Sequence, residues 1–261
     1  MNQKKIIREL VANKRKIFKS IIKSISERER LLAVLIDPEK KAIEDIKTFL
    51  DKVNSSIITH IFVGGSTVPE DITDTLVYEI KKHTSLPVVL FPGDVTQLTD
   101  KADALLFLSL LSGRNPEYLI GKHVESISKL RHSTLEVIPT GYILIENGRE
   151  TSVQKVTGTE PMTRTNIQQI IDTAKAGELL GMQLIYLEAG SGALHPVPQE
   201  IISQVKQDLK IPLIIGGGIR SKGQLENAYN AGADLVVIGT AFEENEAFFN
   251  EIKQQKIEKR E

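Results

Sequence analysis

Eight short apolar runs recur along this chain, and nearly every one ends in an acid, a hydroxyl residue or a cluster of glycines. The runs are Leu31 to Ile36, Ile57 to Val63, Val88 to Phe91, Ala104 to Leu108, Thr140 to Ile145, Leu184 to Leu187, Leu213 to Ile215 and Leu235 to Ile238. Their ends are Asp37, Gly64-Gly65-Ser66, Gly93-Asp94, Ser109, Glu146-Asn147-Gly148, Glu188 to Gly192, Gly216-Gly217-Gly218 and Gly239-Thr240. The pattern reads as an α/β chain forming a (β/α)8 TIM barrel. In such a barrel the carboxyl ends of all strands open onto one face, so polar residues distant in sequence converge there.

The intervening segments carry helical signals: Pro38 to Asn54, Pro69 to His83, a segment opened by Asn115-Pro116, then Thr163 to Leu180, Pro198 to Leu209, Ser221 to Ala231 and Phe242 to Lys256. Several have apolar residues at helical spacing, Pro at the start or Gly at the stop. One unit is irregular. Gly93 to Asp103 joins the third and fourth strands with eleven residues, too few for a full outer helix once the turns are subtracted. The third outer helix is expected to be missing, leaving an apolar trough floored by Val88, Leu90 and Leu105 and continuous with the functional rim. Glu146 to Met162, with little apolar content, reads as a loop on that rim. The charged tail after Ile252 reads as a solvated helix end.

The whole chain of 261 residues is read as an N-terminal extension, 1–30, before a single barrel domain, 31–261. Residues 1–30 hold ten Lys/Arg and three Glu, a net +7, so the rest carries −8 of the overall −1. Ile6, Ile7, Leu10, Val11, Ile17, Phe18, Ile21, Ile22 and Ile25 fall largely on one helical face, which predicts an amphipathic helix. It either plugs the bottom of the barrel or a subunit contact, or lies on a membrane surface. Without interleaved aromatic residues its lysines do not suit nucleic acid. No cysteine is present, which removes disulfides and thiolate chemistry. No signal peptide or membrane span is indicated, so a cytoplasmic protein is expected.

The strongest local signal is Ile214 to Ser221 followed by Val237 to Ala241. Consecutive glycines let backbone N–H groups approach a phosphate, and the loops after strands 7 and 8 form the recurrent barrel phosphate site. Phosphosugar isomerases and flavin-binding barrels share that site, so it does not name a substrate. At the sixth strand, Glu188 stands beside Gly190, Ser191 and Gly192, where a carboxylate can take a proton from a hydroxyl. Asp37 and Ser66 stand at adjacent strand ends. One carboxylate with few other protein oxygens suits Mg²⁺, which keeps waters and takes its remaining ligands from phosphates; Asp37 could equally cap the following helix. No Lys ends a strand, so Schiff-base chemistry has no candidate. Of five His, only His195 falls near the rim, so a His-rich metal site is not expected.

Taken jointly, Leu35 to Pro38, Phe62 to Ser66, Leu90 to Gly93, Tyr186 to Gly192, Pro196 to Pro198, Gly216 to Arg220 and Gly239-Thr240 resemble the geranylgeranylglyceryl phosphate synthase family, relatives of the heptaprenylglyceryl phosphate synthases. The resemblance covers residues 31 to 250. It implies Mg²⁺-dependent prenyl transfer from geranylgeranyl diphosphate to the sn-3 hydroxyl of sn-glycerol 1-phosphate, in lipid biosynthesis. It further implies that Asp37 and Ser66 serve the Mg²⁺. Tyr186, Leu187, Glu188, Ala189, Gly190, Ser191, Gly192, Gly217, Gly218, Gly239 and Thr240 would bind the glycerol phosphate, with Glu188 the base and, with Asp37, a catalytic residue. The likeness to the longer, archaeal-type members implies a homo-oligomer, and a lipid product implies peripheral membrane contact. A phosphosugar isomerase, a flavin-binding barrel and a non-catalytic phosphate-binding scaffold are the competing readings.

Overall fold

A computed structural model describes residues 16–66, 68–69, 71–239, 241–242 and 246–253. Eight parallel strands close a barrel in sequence order: β1 Leu31–Ile36, β2 His60–Val63, β3 Val88–Leu90, β4 Ala104–Leu110, β5 Glu136–Leu144, β6 Leu184–Glu188, β7 Leu213–Gly216 and β8 Leu235–Ile238. Closure runs through β1 and β8, from Leu31 opposite Leu235 to Val34 opposite Ile238. The strands read as continuous apolar runs because both faces are covered. On β6, Leu184 and Tyr186 point into the barrel, whereas Ile185 and Leu187 pack outward against the helices. Full burial of such side chains contributes about 2 kcal/mol each.

The helices are α1 Lys16–Ser26, α2 Ile46–Asn54, α3 Ile72–His83, α4 Lys122–Leu130, α5 Ser152–Thr157, α6 Ile167–Leu179, α7 Gln199–Asp208, α8 Lys222–Asn230 and α9 Glu246–Glu251. Sequence signals place several starts: Asn166 caps α6 through the Gln169 N–H, and Ser221 caps α8 through the Gln224 N–H. Between β3 and β4 the described chain has a single 3-10 turn, Val95–Gln97, in place of a helix, as its length requires. The tail from 254 onward lies outside the described residues, as do Thr240 and residues 1–15 of the basic extension.

Three expectations need correction. The 146–162 segment is not simply loop, because Thr151 and Gln154 form a reciprocal capping box that starts α5. Ser109 does not end β4. The strand continues through Leu110, and Ser109 faces outward to His123 Nε2 at 3.3 Å. The trough is not floored by Val88 and Leu90, which are fully buried in the outer apolar layer with α3 residues Val77 and Ile80. Leu105 lines it as expected, together with Leu98 and Phe107, faced by Tyr118, His123 and Ser126 on or just before α4.

Helix α1 closes the amino end of the barrel. Ile21 is buried in the inner apolar layer, with Ile17, Phe18 and Ile25 packed against it. The buried Glu136, first residue of β5, accepts the backbone N–H groups of Ile17 and Phe18 at 2.7 and 2.8 Å. A carboxylate facing the first N–H groups of a helix satisfies otherwise orphaned donors and complements the helix dipole. Of the two placements open for this helix, residues 16–26 take the plugging one. Glu136→Ala is expected to lower stability by about 2 kcal/mol, the worth of charge-assisted bonds left unmade. A thermal melt should fall by roughly 5 °C while activity at 25 °C is retained, since Glu136 is at the opposite end from the candidate site.

Candidate active site

At the carboxyl rim a cavity of about 330 Å³ joins two halves. Asp37, Ser66, Glu188, the glycine loops and Gly239 form the polar half, and the trough between β4 and α4 forms the apolar half.

Glu188 is the last residue of β6 and, two residues after the inward-facing Tyr186, it also points inward. It is 5% exposed, and burial pushes its carboxyl up to about 7 against the opposing pull of the Gly190 N–H and the Tyr186 hydroxyl. That value places it between acid and base near neutral pH, the setting of a general base. The Tyr186 hydroxyl is fully buried beside this carboxylate without a hydrogen bond of full geometry, so it retains capacity for an added oxygen. Gly217 makes the approach possible. Its φ of +80° disfavours a side chain, and a Cβ there would lie 2.5 Å from Glu188 Oε1 and 2.6 Å from the Gly190 nitrogen. Gly218, at φ +74°, continues the turn. Successive backbone N–H groups in such turns make anion-binding concavities.

Asp37 stands at the end of β1. Its Oδ1 accepts the Glu39 N–H at 3.1 Å, so it does stabilise the turn that follows, and its Oδ2 lies 3.6 Å from Lys40 Nζ. Ser66 lies on the same cavity, on a loop that buried Gln97 holds. Gln97 accepts the Gly65 N–H at 3.2 Å and donates to the Gly65 carbonyl at 2.8 Å. One carboxylate and one hydroxyl suit a hard cation completed by waters and phosphate oxygens. Among the described residues no group of three or more acidic or His residues forms a protein-only metal cage.

The cavity thus brings together Asp37, Ser66, Tyr186, Glu188, Gly190, Ser191, Gly192, Gly217, Gly218 and Gly239. Leu187 and Ala189 do not present side chains to it, because strand alternation turns both into the outer layer. His195 is exposed outside the cavity, its carbonyl accepting Arg164 at 3.0 Å. Several residues were missed. Lys40 reaches Ser191 Oγ at 3.5 Å as well as Asp37, and its position three residues after a strand-end acid was the available signal. Asp94 and Lys122 pair at 3.0 Å and tie α4 to the short segment after β3. Tyr118 donates to the Val156 carbonyl at 3.2 Å, tying the start of that helical segment to α5. No local pattern marks these last pairings.

A closed parallel barrel with a glycine-lined, carboxylate-bearing rim defines an enzyme-type (β/α)8 barrel. More narrowly, the chain belongs to the PcrB family, whose model matches residues 23–259. It is 55% identical over 231 residues to "Geranylgeranylglyceryl phosphate synthase" of Zunongwangia profunda, covering 88% of this chain and 98% of that protein. The protein of the same name from Flavobacterium johnsoniae is 54% identical, covering 90% and 96%. Among solved structures, (S)-3-O-geranylgeranylglyceryl phosphate synthase from Thermoplasma acidophilum, in complex with its substrate sn-glycerol-1-phosphate, matches with a TM-score of 0.84. It is 30% identical and covers 90% of this chain and 95% of that one.

Proposed function

We infer that this protein is a prenyltransferase that moves a geranylgeranyl group from geranylgeranyl diphosphate to the sn-3 hydroxyl of sn-glycerol 1-phosphate, releasing diphosphate. The observation that carries this reading is the single cavity in which a buried carboxylate and anion-suited glycine loops adjoin an apolar trough. One small phosphorylated alcohol and one long hydrocarbon are the pair that such a cavity accommodates. The relatives' names supply the identity of that pair.

In this reading Gly217, Gly218 and Gly239 bind the phosphate of the acceptor, with Gly190 to Gly192 over its glycerol portion. The Tyr186 hydroxyl and the Glu188 carboxylate face the acceptor hydroxyl, and Glu188 takes its proton as the new ether bond forms. Asp37 and Ser66 would hold Mg²⁺, which when bound neutralises charge on the diphosphate leaving group. The trough aligns the prenyl chain so that its reactive carbon meets the positioned alcohol, converting an encounter of two molecules into a local one. Water is kept from the reacting carbon by the apolar lining and by Val153 and Val156 of α5.

The test is a radiolabelled transfer assay with geranylgeranyl diphosphate and either sn-glycerol 1-phosphate or its 3-phosphate enantiomer, with Mg²⁺ or EDTA. Lipid product is expected only with the 1-phosphate and Mg²⁺. Absence of product from either acceptor, with longer and shorter donors included, would overturn the reading. Product in EDTA would remove the metal alone.

A further inference from the structure

Three aromatic rings meet where the polar and apolar halves of the cavity join. Phe91 stacks on Tyr186 with ring centroids 5.2 Å apart and planes at 21°, and Tyr142 stands edge-on to both, 5.7 Å from Phe91 and 5.4 Å from Tyr186. All three line the cavity. The chain has no Trp, eight Phe and five Tyr, so this concentration is a large share of a small supply. Leu35, Leu108, Ile214 and Val237 serve as inner-layer residues on β1, β4, β7 and β8, and the buried Phe62 of β2 fills the same layer without lining the cavity, so the three rings are set apart by facing it.

Glycines let the chain pack closely against the backbone of Phe91 and the side chain of Tyr186. A Cβ on Gly64 would lie 1.8 Å from the Phe91 carbonyl oxygen, and one on Gly216 would lie 2.1 Å from the Tyr186 hydroxyl oxygen. Phe91 directly follows β3, between the β2 loop that carries Ser66 and strand β4, whose Leu105 and Phe107 line the trough. Tyr142 and Tyr186 are paired in register on β5 and β6, with Glu188 two residues further on. A prenyl chain running from the polar rim into the trough passes these rings at its reactive end.

Resting on the prenyl-transfer reading, we propose that Phe91 and Tyr142 are catalytic residues whose rings stabilise the positive charge that develops on the allylic carbons of the donor. The bond between donor C1 and the diphosphate oxygen breaks, and its electron pair leaves with the diphosphate. The resulting charge is shared between C1 and C3. The acceptor oxygen then forms its bond to C1 while its proton passes to Glu188. An aromatic ring attracts a cation through its negative face. The Phe91 ring does so without offering a lone pair that the cation would alkylate, which a second carboxylate would. Rings already packed edge-on and stacked need no reorganisation as the charge appears.

The experiment replaces Phe91 with 4-fluoro-, 3,5-difluoro- and 3,4,5-trifluorophenylalanine, which keep the ring's size while progressively weakening its negative face. Single-turnover rates with geranylgeranyl diphosphate and sn-glycerol 1-phosphate should fall stepwise, by about tenfold at the trifluoro variant, at an unchanged melting temperature. Phe91→Leu should lose about 30-fold, and Tyr142→Leu a similar amount, whereas Tyr142→Phe should stay within about threefold. A flat fluorination series in an active protein overturns the proposal and leaves the prenyl-transfer reading standing. An inactive wild-type protein overturns that reading, and the proposal with it.

Discussion

Glu188→Gln is expected to lower turnover by about a thousandfold while making the ligand-free protein more stable above neutral pH. Burial raises this carboxyl from 4.5 in the unfolded chain to about 7 in the fold. Between those values the folded state binds more protons than the unfolded one, so stability declines as pH rises through the window, and the loss is complete above about pH 7. The span corresponds to about 3 kcal/mol as an upper bound. Glutamine keeps an acceptor for the Gly190 N–H and carries no charge to desolvate. The variant should therefore melt about 5–10 °C higher than wild type at pH 8 and about equally at pH 4.5. The logarithm of wild-type kcat/KM, which reports the free enzyme, should rise with unit slope in pH and level off above about 7, as a single base loses its proton. A melting difference that is the same at both pH values would remove the assignment of a raised carboxyl.

Asp37→Ala is expected to reduce kcat at least ~100-fold and to shift the Mg²⁺ concentration for half-maximal activity upward, because a metal that neutralises a leaving group supplies several kcal/mol. The fold should survive, since the residue's structural contributions are one bond to the Glu39 N–H, worth about 1 kcal/mol, and a partly exposed ion pair with Lys40, worth about 1 kcal/mol at most. Asp37→Asn separates the two roles. It keeps an oxygen for that N–H and should retain the wild-type melting temperature, yet it loses the negative charge and should be nearly as inactive as Ala. An Asn variant with wild-type turnover and Mg²⁺ dependence would return Asp37 to a purely structural part.

Most of the barrel was legible because strands buried on both faces cannot hide their apolar content. The runs at β1, β7 and β8 match the observed strands to within one residue. β5 was read four residues short, since Glu136 at its start and Pro139 within it break the apolar run. Tertiary structure explains both: Glu136 serves helix α1, and Pro139 still offers its carbonyl, which accepts the Gln183 N–H at 2.8 Å. The start of α5 was legible but unread, for Thr151 and Gln154 have the spacing of a capping box. Of the candidate site, Asp37, Ser66, Glu188 and the glycine loops were marked by their places at strand ends. Tyr142, Gln97 and the pairing of Asp94 with Lys122 were not, because each matters only through a neighbour contributed by a distant part of the chain.

The absent third helix has a further consequence for how the barrel holds together. β3 and β4 are joined in register only through Val89 with Ala104 and Leu90 with Leu105, whereas β4 and β5 pair over seven positions. The seam with the least backbone bonding is therefore also the wall against which the trough is built. Local opening of a fold begins where its bonding is thinnest, and a molecule that binds only the closed form stabilises it by mass action. A hydrocarbon lodged in this trough would act as a bolt across the barrel's weakest joint, so that the space left for a ligand and the mechanical closure of the fold become one and the same.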